Sequence, residues 1–264
     1  MMPRRLRPLG LAAVAAITAG LLAGCVATTQ PGVTARPVAG SCHALTQQEE
    51  YAVESDSSPS VPCASAHTTE TFLVSALPAP FSSDRARPNA AARAQIAGQV
   101  CTGDALRGYV GAAYLDGLYG LWTVSFLPTA QAWHGGARWI RCDVVQTSVD
   151  DALRPVVRRA TLHAALRGST SSALLRCYDQ RRAGGGLASA ARQVPCDRPH
   201  TSRDLDSWTP VSSRPTAADF RAACAAPVHD YLRAPPRPDQ VTVVVIPSSD
   251  RTTWSVRCAV VTSS

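Results

Sequence analysis

An α+β fold of two tandem disulfide-stapled domains, each an antiparallel sheet packed by one helix, is what this 264-residue chain predicts. Three observations carry the prediction. First, the chain repeats itself: Val61-Pro62-Cys63-Ala64-Ser65-Ala66-His67-Thr68 returns as Val194-Pro195-Cys196-Asp197-Arg198-Pro199-His200-Thr201, with five identities at fixed spacing. Arg141-Cys142-Asp143-Val144-Val145 returns as Arg257-Cys258-Ala259-Val260-Val261, and Thr123-Val124 before Pro128 matches Thr242-Val243 before Pro247. Second, each copy holds four cysteines in the same order. Third, each copy sets short strand-like runs around one helical stretch, the pattern of a sheet covered by a helix. Two copies at so long a period read as two globular units, because a solenoid needs three or more short repeats.

In chain order, residues 1–24 read as a leader. Arg4, Arg5 and Arg7 precede an apolar run from Leu9 to Leu22 that is too short for a stable membrane-spanning helix. The run closes on Leu22-Ala23-Gly24-Cys25, which looks like a bacterial lipobox. Cleavage there leaves Cys25 as an acylated first residue, and two or more acyl chains at about 0.8 kcal/mol per methylene make a stable anchor. Residues 25–40 are the lipidated N-terminus and a small, Pro/Gly-bearing tether.

The first repeat spans residues 41–147. Val61-Pro62-Cys63 and Thr71 to Val74 read as strands. Asp84 to Ala113 reads as a helix with Pro88 in its first turn, a stripe of Ile96, Val100, Tyr109 and Val110, and an interruption at Gly103. Trp122, Val124 and Phe126 alternate with Thr123 and Ser125 as a half-buried strand, and Trp139 to Val145 closes the unit. Trp122, Trp139 and Trp254 are expected in the core. Residues 148–173 are a linker or a strand extension, and both readings stay open. In the second repeat, residues 174–264, Arg182 to Ala191 with its three glycines reads as a mobile loop. Thr216 and Asp219 suggest a capping box, with Phe220, Cys224, Val228, Tyr231 and Leu232 on the buried face. Pro227 is expected to end or kink this helix. Val241 to Ile246 reads as a strand buried on both sides, and Trp254 to Val261 as the last strand.

Without Cys25, eight cysteines remain, and an even set in an exported chain reads as disulfides. Eight permit 105 pairings, but only three if both repeats close internally and alike. Strand and helix geometry favours Cys42–Cys63, Cys101–Cys142, Cys177–Cys196 and Cys224–Cys258. The formal charge of +7 falls to +4 without the three leader arginines, and every basic residue is Arg. These arginines are scattered, so no nucleic-acid partner is expected.

Two such units behind a lipobox resemble the septum-formation domain of actinobacterial envelope proteins. The resemblance rests on Val61 to His67 with Cys101 and Cys142, and on Val194 to His200 with Cys224 and Cys258. Trp133 and Gly135 also fit the family; Ser248-Ser249-Asp250-Arg251 departs from it in the second copy. The resemblance implies a part in cell division and supplies no catalytic residue.

Zinc on Cys63, His67, Cys196 and His200 competes with the disulfides and would strand Cys42 and Cys177. No metal and no small-molecule cofactor is therefore expected. His67 and His200 read as structural residues bonded to backbone, since Glu70 near one becomes Arg203 near the other. Gly-x-Ser-x-Gly, His-Glu-x-x-His and phosphate-loop motifs are missing. Trp133-His134-Gly135-Gly136 is the candidate partner-binding loop, with an alternative in which Trp133 folds back onto the sheet. The expectation is a membrane-anchored, extracytoplasmic, non-catalytic binding or scaffold module, with envelope or division proteins or the wall as partners. The alternative is an enzyme acting on cell-wall material.

Overall fold

In the computed structural model the described residues are 36–45, 48–148, 154–168, 172–179, 191–211, 216–247 and 253–262. The leader, Cys25, the tether up to residue 35, most of the Arg182–Ala191 loop and the Ser248–Arg251 loop lie outside them.

The first repeat runs β1 (Cys42–His43), α1 (Gln48–Ala52), β2 (Thr69–Ala76), α2 (Ala90–Val100), α3 (Gly103–Val110), β3 (Leu121–Phe126), α4 (Ala130–His134) and β4 (Trp139–Gln146). The second runs β5 (Arg176–Asp179), β6 (Arg192–Pro195), β7 (Ser202–Val211), α5 (Ala217–Leu232), β8 (Val241–Pro247) and β9 (Trp254–Val261). The first sheet has the order β1-β2-β4-β3 and the second β6-β5-β7-β9-β8, all antiparallel. The duplication is therefore topological: β5, β7, β9 and β8 repeat β1, β2, β4 and β3. Cys42 pairs with Glu70 as Cys177 pairs with Arg203, and Glu70 with Val144 as Arg203 with Val260. Both copies of the central strand bulge at the same place, between Thr71 and Leu73 and between Asp204 and Trp208.

Four disulfides join Cys42–Cys63, Cys101–Cys142, Cys177–Cys196 and Cys224–Cys258, equivalent pairs in the two copies. Each second pair ties a helix-borne or helix-terminal cysteine to the last strand of its sheet.

Several expectations need correction. Val61-Pro62-Cys63 forms no strand; Val61 makes a single antiparallel bridge to Cys42, where the second copy pairs Val194 with Cys177 inside β6. The helical stretch of the first repeat starts at Ala90 rather than Asp84, and the interruption expected at Gly103 divides it into α2 and α3. Asn89, not Pro88, starts α2, accepting from the Ala92 N–H at 2.9 Å. Thr102 caps α3 by accepting from Ala105, and Gly111, at φ 75°, closes it in the left-handed conformation. Helix α5 does not end at Pro227 but continues through it to Leu232. Cys224 and Val228 are fully buried on either side, so packing outweighs the one hydrogen bond that proline cannot make.

The match of Thr123-Val124 to Thr242-Val243 is out of register by one. Ser125 faces Cys142 whereas Val243 faces Cys258, so Val124 and Val243 lie on opposite faces of their sheets. Trp122 is 38% exposed, because β3 is an edge strand and Trp122 points to the face away from α2 and α3, where Tyr51 packs at 5.8 Å. Trp139 is buried and Trp254 half-buried. Strand β8 is also an edge, yet Val243 and Val244 are buried in separate clusters on its two faces.

The sheets do not stand apart. Residues 33–264 cluster as one unit. The main core, around Phe72, Ile96, Val110, Ile140 and Val144, takes in Leu162 and Leu166 of the bridging stretch and Leu174 and Leu175 of the second repeat. Residues 36–40, expected as tether, are bonded to β2: Arg36 donates to the Val74 carbonyl at 3.0 Å and the Gly40 N–H to that of Thr71 at 2.7 Å.

Candidate functional site

Strand alternation places Ser41, His43, Thr71, Arg141 and Asp143 on the face of the first sheet that looks away from α2 and α3. There the chain after α1 brings Asp56 over them. Thr71 donates to Asp143 at 2.8 Å, and Arg141 donates to Asp143 at 2.9 Å and also to Asp56. Asp143 is fully buried, and burial pushes its carboxyl up. Burial works against the Asp56 charge too, but Arg141 and the Ser58 groups outweigh it and hold that carboxyl below the usual range. His43 is held below its ordinary value by burial and by the Arg141 charge.

Ser41, His43 and Asp56 thus stand in the order of a hydrolase triad. The contacts are Ser41 Oγ to His43 Nε2 at 3.2 Å and His43 Nδ1 to Asp56 at 3.7 Å. The second distance is too long for a hydrogen bond. The Ser41 hydroxyl has a nearer acceptor in the Val38 carbonyl at 2.8 Å, and Asp56 is committed to Arg141. The arrangement as it stands binds charge more than it activates a nucleophile.

The second copy fills the same place differently. Arg176, Tyr178, Asp204, Arg257 and Ala259 occupy the positions of Ser41, His43, Thr71, Arg141 and Asp143. Asp204 is fully buried, accepts from Tyr178 at 2.9 Å and from Arg176 at 3.3 Å, and is pushed up by burial. The buried carboxylate is kept, but on the opposite strand of the pair.

Where the repeats meet, charged residues cross over. Arg107 donates to Asp206, Arg203 to Asp116, and Arg176 to the Leu118 carbonyl at 2.6 Å. The backbone joins too: Arg176 N–H donates to Gly117 at 2.7 Å and Tyr119 N–H to Leu174 at 2.9 Å. A Cβ on Gly117 would stand 2.1 Å from an Asp204 carboxylate oxygen, so only glycine allows this approach. Beside the junction lies a cleft of about 390 Å³ lined by Leu106, Leu121 and Thr123 together with Arg107, Arg176 and Asp206.

His67 and His200 keep one role in both copies. Each ring Nδ1 lies by the carbonyl two residues back, Ser65 at 2.9 Å and Arg198 at 2.7 Å, as an N–H donor would. The sulfurs of Cys63 and Cys196 are in disulfides and do not join these rings as zinc ligands. Ligand atoms of Cys42, His67 and Glu70 do lie within 4.8 Å of one another. However, Cys42 is oxidised, and Glu70 accepts from Tyr109, Thr161 and the Leu162 and His163 N–H groups. Glu70 thereby pins the bridging stretch to the sheet.

Trp133 does not present itself to a partner. It sits in α4, 2% exposed, with Nε1 donating to Arg85 at 2.9 Å and the Arg138 guanidinium 3.8 Å from the ring centre. His134 is exposed beside it. Sequence reasoning passed over Ser41, His43, Asp56 and the arginine–aspartate crossings. The shared positions of Arg141 and Arg257 are the one signal for them that it held.

A duplicated, disulfide-stapled α+β protein, its halves locked by ion pairs and a shared core, is the class these features define. Residues 39–256 match the septum formation family, and the chain belongs to it. That match runs across both repeats. No curated protein and no solved structure matches the chain.

Proposed function

We propose that this chain is a lipoprotein, anchored through Cys25 to the extracytoplasmic face of the cell membrane, that serves septum formation or wall growth as a non-catalytic binding or scaffold module. Membership of the septum formation family is the observation that carries this reading. Two features support the compartment: Leu22-Ala23-Gly24-Cys25 at the end of the apolar run, and eight cysteines engaged in four disulfides. Among the described residues no helix is long and apolar enough to cross a membrane. Its partners are envelope or division proteins, or the wall itself, and it needs neither metal nor cofactor.

An export-competent fluorescent fusion in growing cells, with Cys25→Ser as release control, tests this. Enrichment at the septum that depends on Cys25 is the expected result; an even membrane signal removes the septal part of the reading.

The order Ser41, His43, Asp56 favours a second reading, an enzyme that acts on ester or amide bonds of wall material. A fluorophosphonate probe on the oxidised chain decides between them. No label at Ser41 is expected; label that is lost in Ser41→Ala and His43→Gln would establish the enzyme instead.

A further inference from the structure

We propose that the outer edge of β3 is a docking site for an extended peptide segment of a partner protein, which adds to the first sheet as a further strand. The inference rests on the binding-module reading and names the mode of binding. The phase of the ladder comes first. Thr147 N–H donates to the Gly120 carbonyl at 2.7 Å, so Trp122, Val124 and Phe126 exchange hydrogen bonds with β4. The backbone groups of Leu121, Thr123 and Ser125 therefore point to the outer edge. Of these, the Ser125 carbonyl receives Arg93 at 3.4 Å. Among the described residues nothing pairs with the N–H or C=O of Thr123.

The lead-in to the same strand already accepts a strand. Gly117 to Tyr119 pairs antiparallel with Leu174 to Arg176, and past β3 the Leu127 N–H donates to the Glu54 carbonyl at 2.8 Å, so the outer line is filled at both ends and open between Leu121 and Ser125. Leu121 to Phe126 carries none of the usual edge protection, neither a charge nor a proline. By contrast, β1 is two residues long and β6 carries Arg192 and Pro195.

The two faces of an added strand would meet different surfaces. A side chain level with Thr123 enters the cleft of about 390 Å³ beside Leu106 and Leu121. Its chain neighbours fall on the Trp122 side, where that ring is 38% exposed against Tyr51. The occupant is thus an extended segment with apolar residues toward Trp122 and, level with Thr123, a side chain that meets Leu106 and Leu121 beside Arg107, Arg176 and Asp206. Main-chain pairing supplies its affinity and the alternate pockets its selectivity.

The probe is a set of decapeptides selected from a random display library on the full oxidised chain. Thr123→Pro removes an N–H that β4 does not use and leaves the ladder whole. Selected peptides should bind this variant at least tenfold more weakly, and the Leu121 and Thr123 amides should exchange more slowly in the wild-type complex. Gly103→Leu, which projects into open space at the cleft, should weaken binding independently of any change in β3. Equal binding to wild type and both variants, or protection mapped to another surface, overturns the edge site while leaving a binding module. Failure to select any peptide also overturns it. The septal fusion tests the underlying reading separately.

Discussion

Gly117 and His43 show how much of this protein is decided by single side chains at crowded points. Gly117 passes so close to the Asp204 carboxylate that Gly117→Ala must push apart a buried acid already held by Tyr178 and Arg176. The expected loss is about 1–3 kcal/mol, the usual cost of overpacking, read from urea unfolding of the oxidised protein. His43 makes a pH-dependent contribution whose sign is fixed by its surroundings. Burial and the Arg141 charge disfavour the imidazolium, while Asp143 and Asp56 favour it less strongly. In the window below pH 6.5 and above the depressed folded value, the unfolded chain binds the extra proton, so stability rises with pH there. It is lost as the solution is acidified through that window. His43→Asn should flatten this part of the stability-against-pH curve relative to wild type, measured by thermal unfolding at a series of pH values. Such residues were hard to see in the sequence because their charged partners lie 13 to 100 positions away. His67 and His200 were legible, since their bond to a carbonyl two residues back is local and occurs twice.

At the scale of elements, alternation and apolar runs made β2, β3, β4, β8 and β9 legible, whereas β5, β6 and the ten-residue β7 were not singled out. The helices were less legible. The break expected at Gly103 is present, with Cys101 as the C-cap of α2 bonded to Cys142 and Thr102 as the N-cap of α3, but the start at Asn89 was not read. Pro227, read as ending or kinking its helix, does not end it: α5 continues, with Cys224 and Val228 buried on either side. A helix held against its own propensity should gain from a better former. Pro227→Ala is expected to stabilise the protein by about 1–3 kcal/mol, seen as a higher melting temperature with the disulfides intact. Removing the staple itself, Cys224→Ala with Cys258→Ala, should cost about 3–4 kcal/mol for a loop of 34 residues. Free-thiol titration confirms that the other three bridges persist. The apparent Thr-Val match between β3 and β8 shows the limit of pattern reading: a two-residue identity does not fix register, and register alone decides which face a side chain takes.

For the whole molecule, duplication was legible but independence was not. Leu174 and Leu175 are apolar residues at the start of a repeat, and nothing local says that their core belongs to the other one. The ion pairs from Arg107 to Asp206 and from Arg203 to Asp116 likewise join scattered charges. The chain should therefore unfold in one calorimetric transition with van't Hoff and calorimetric enthalpies equal. Residues 174–264 expressed alone should show the poorly dispersed amide spectrum of an unpacked chain. Two separated transitions would mean that the halves are autonomous after all.

The buried carboxylate that changes strands between the copies bears on how such a gene can vary. Asp143 faces Thr71 in one sheet, and Ala259 faces Asp204 in the other. A recombination that copied the last strand of the first half into the second would set two acids face to face in a dry interior. The reverse exchange would leave Arg141 without the acid on its own strand. Each half has thus become a lock for its own key, and the duplication is protected from being made uniform again.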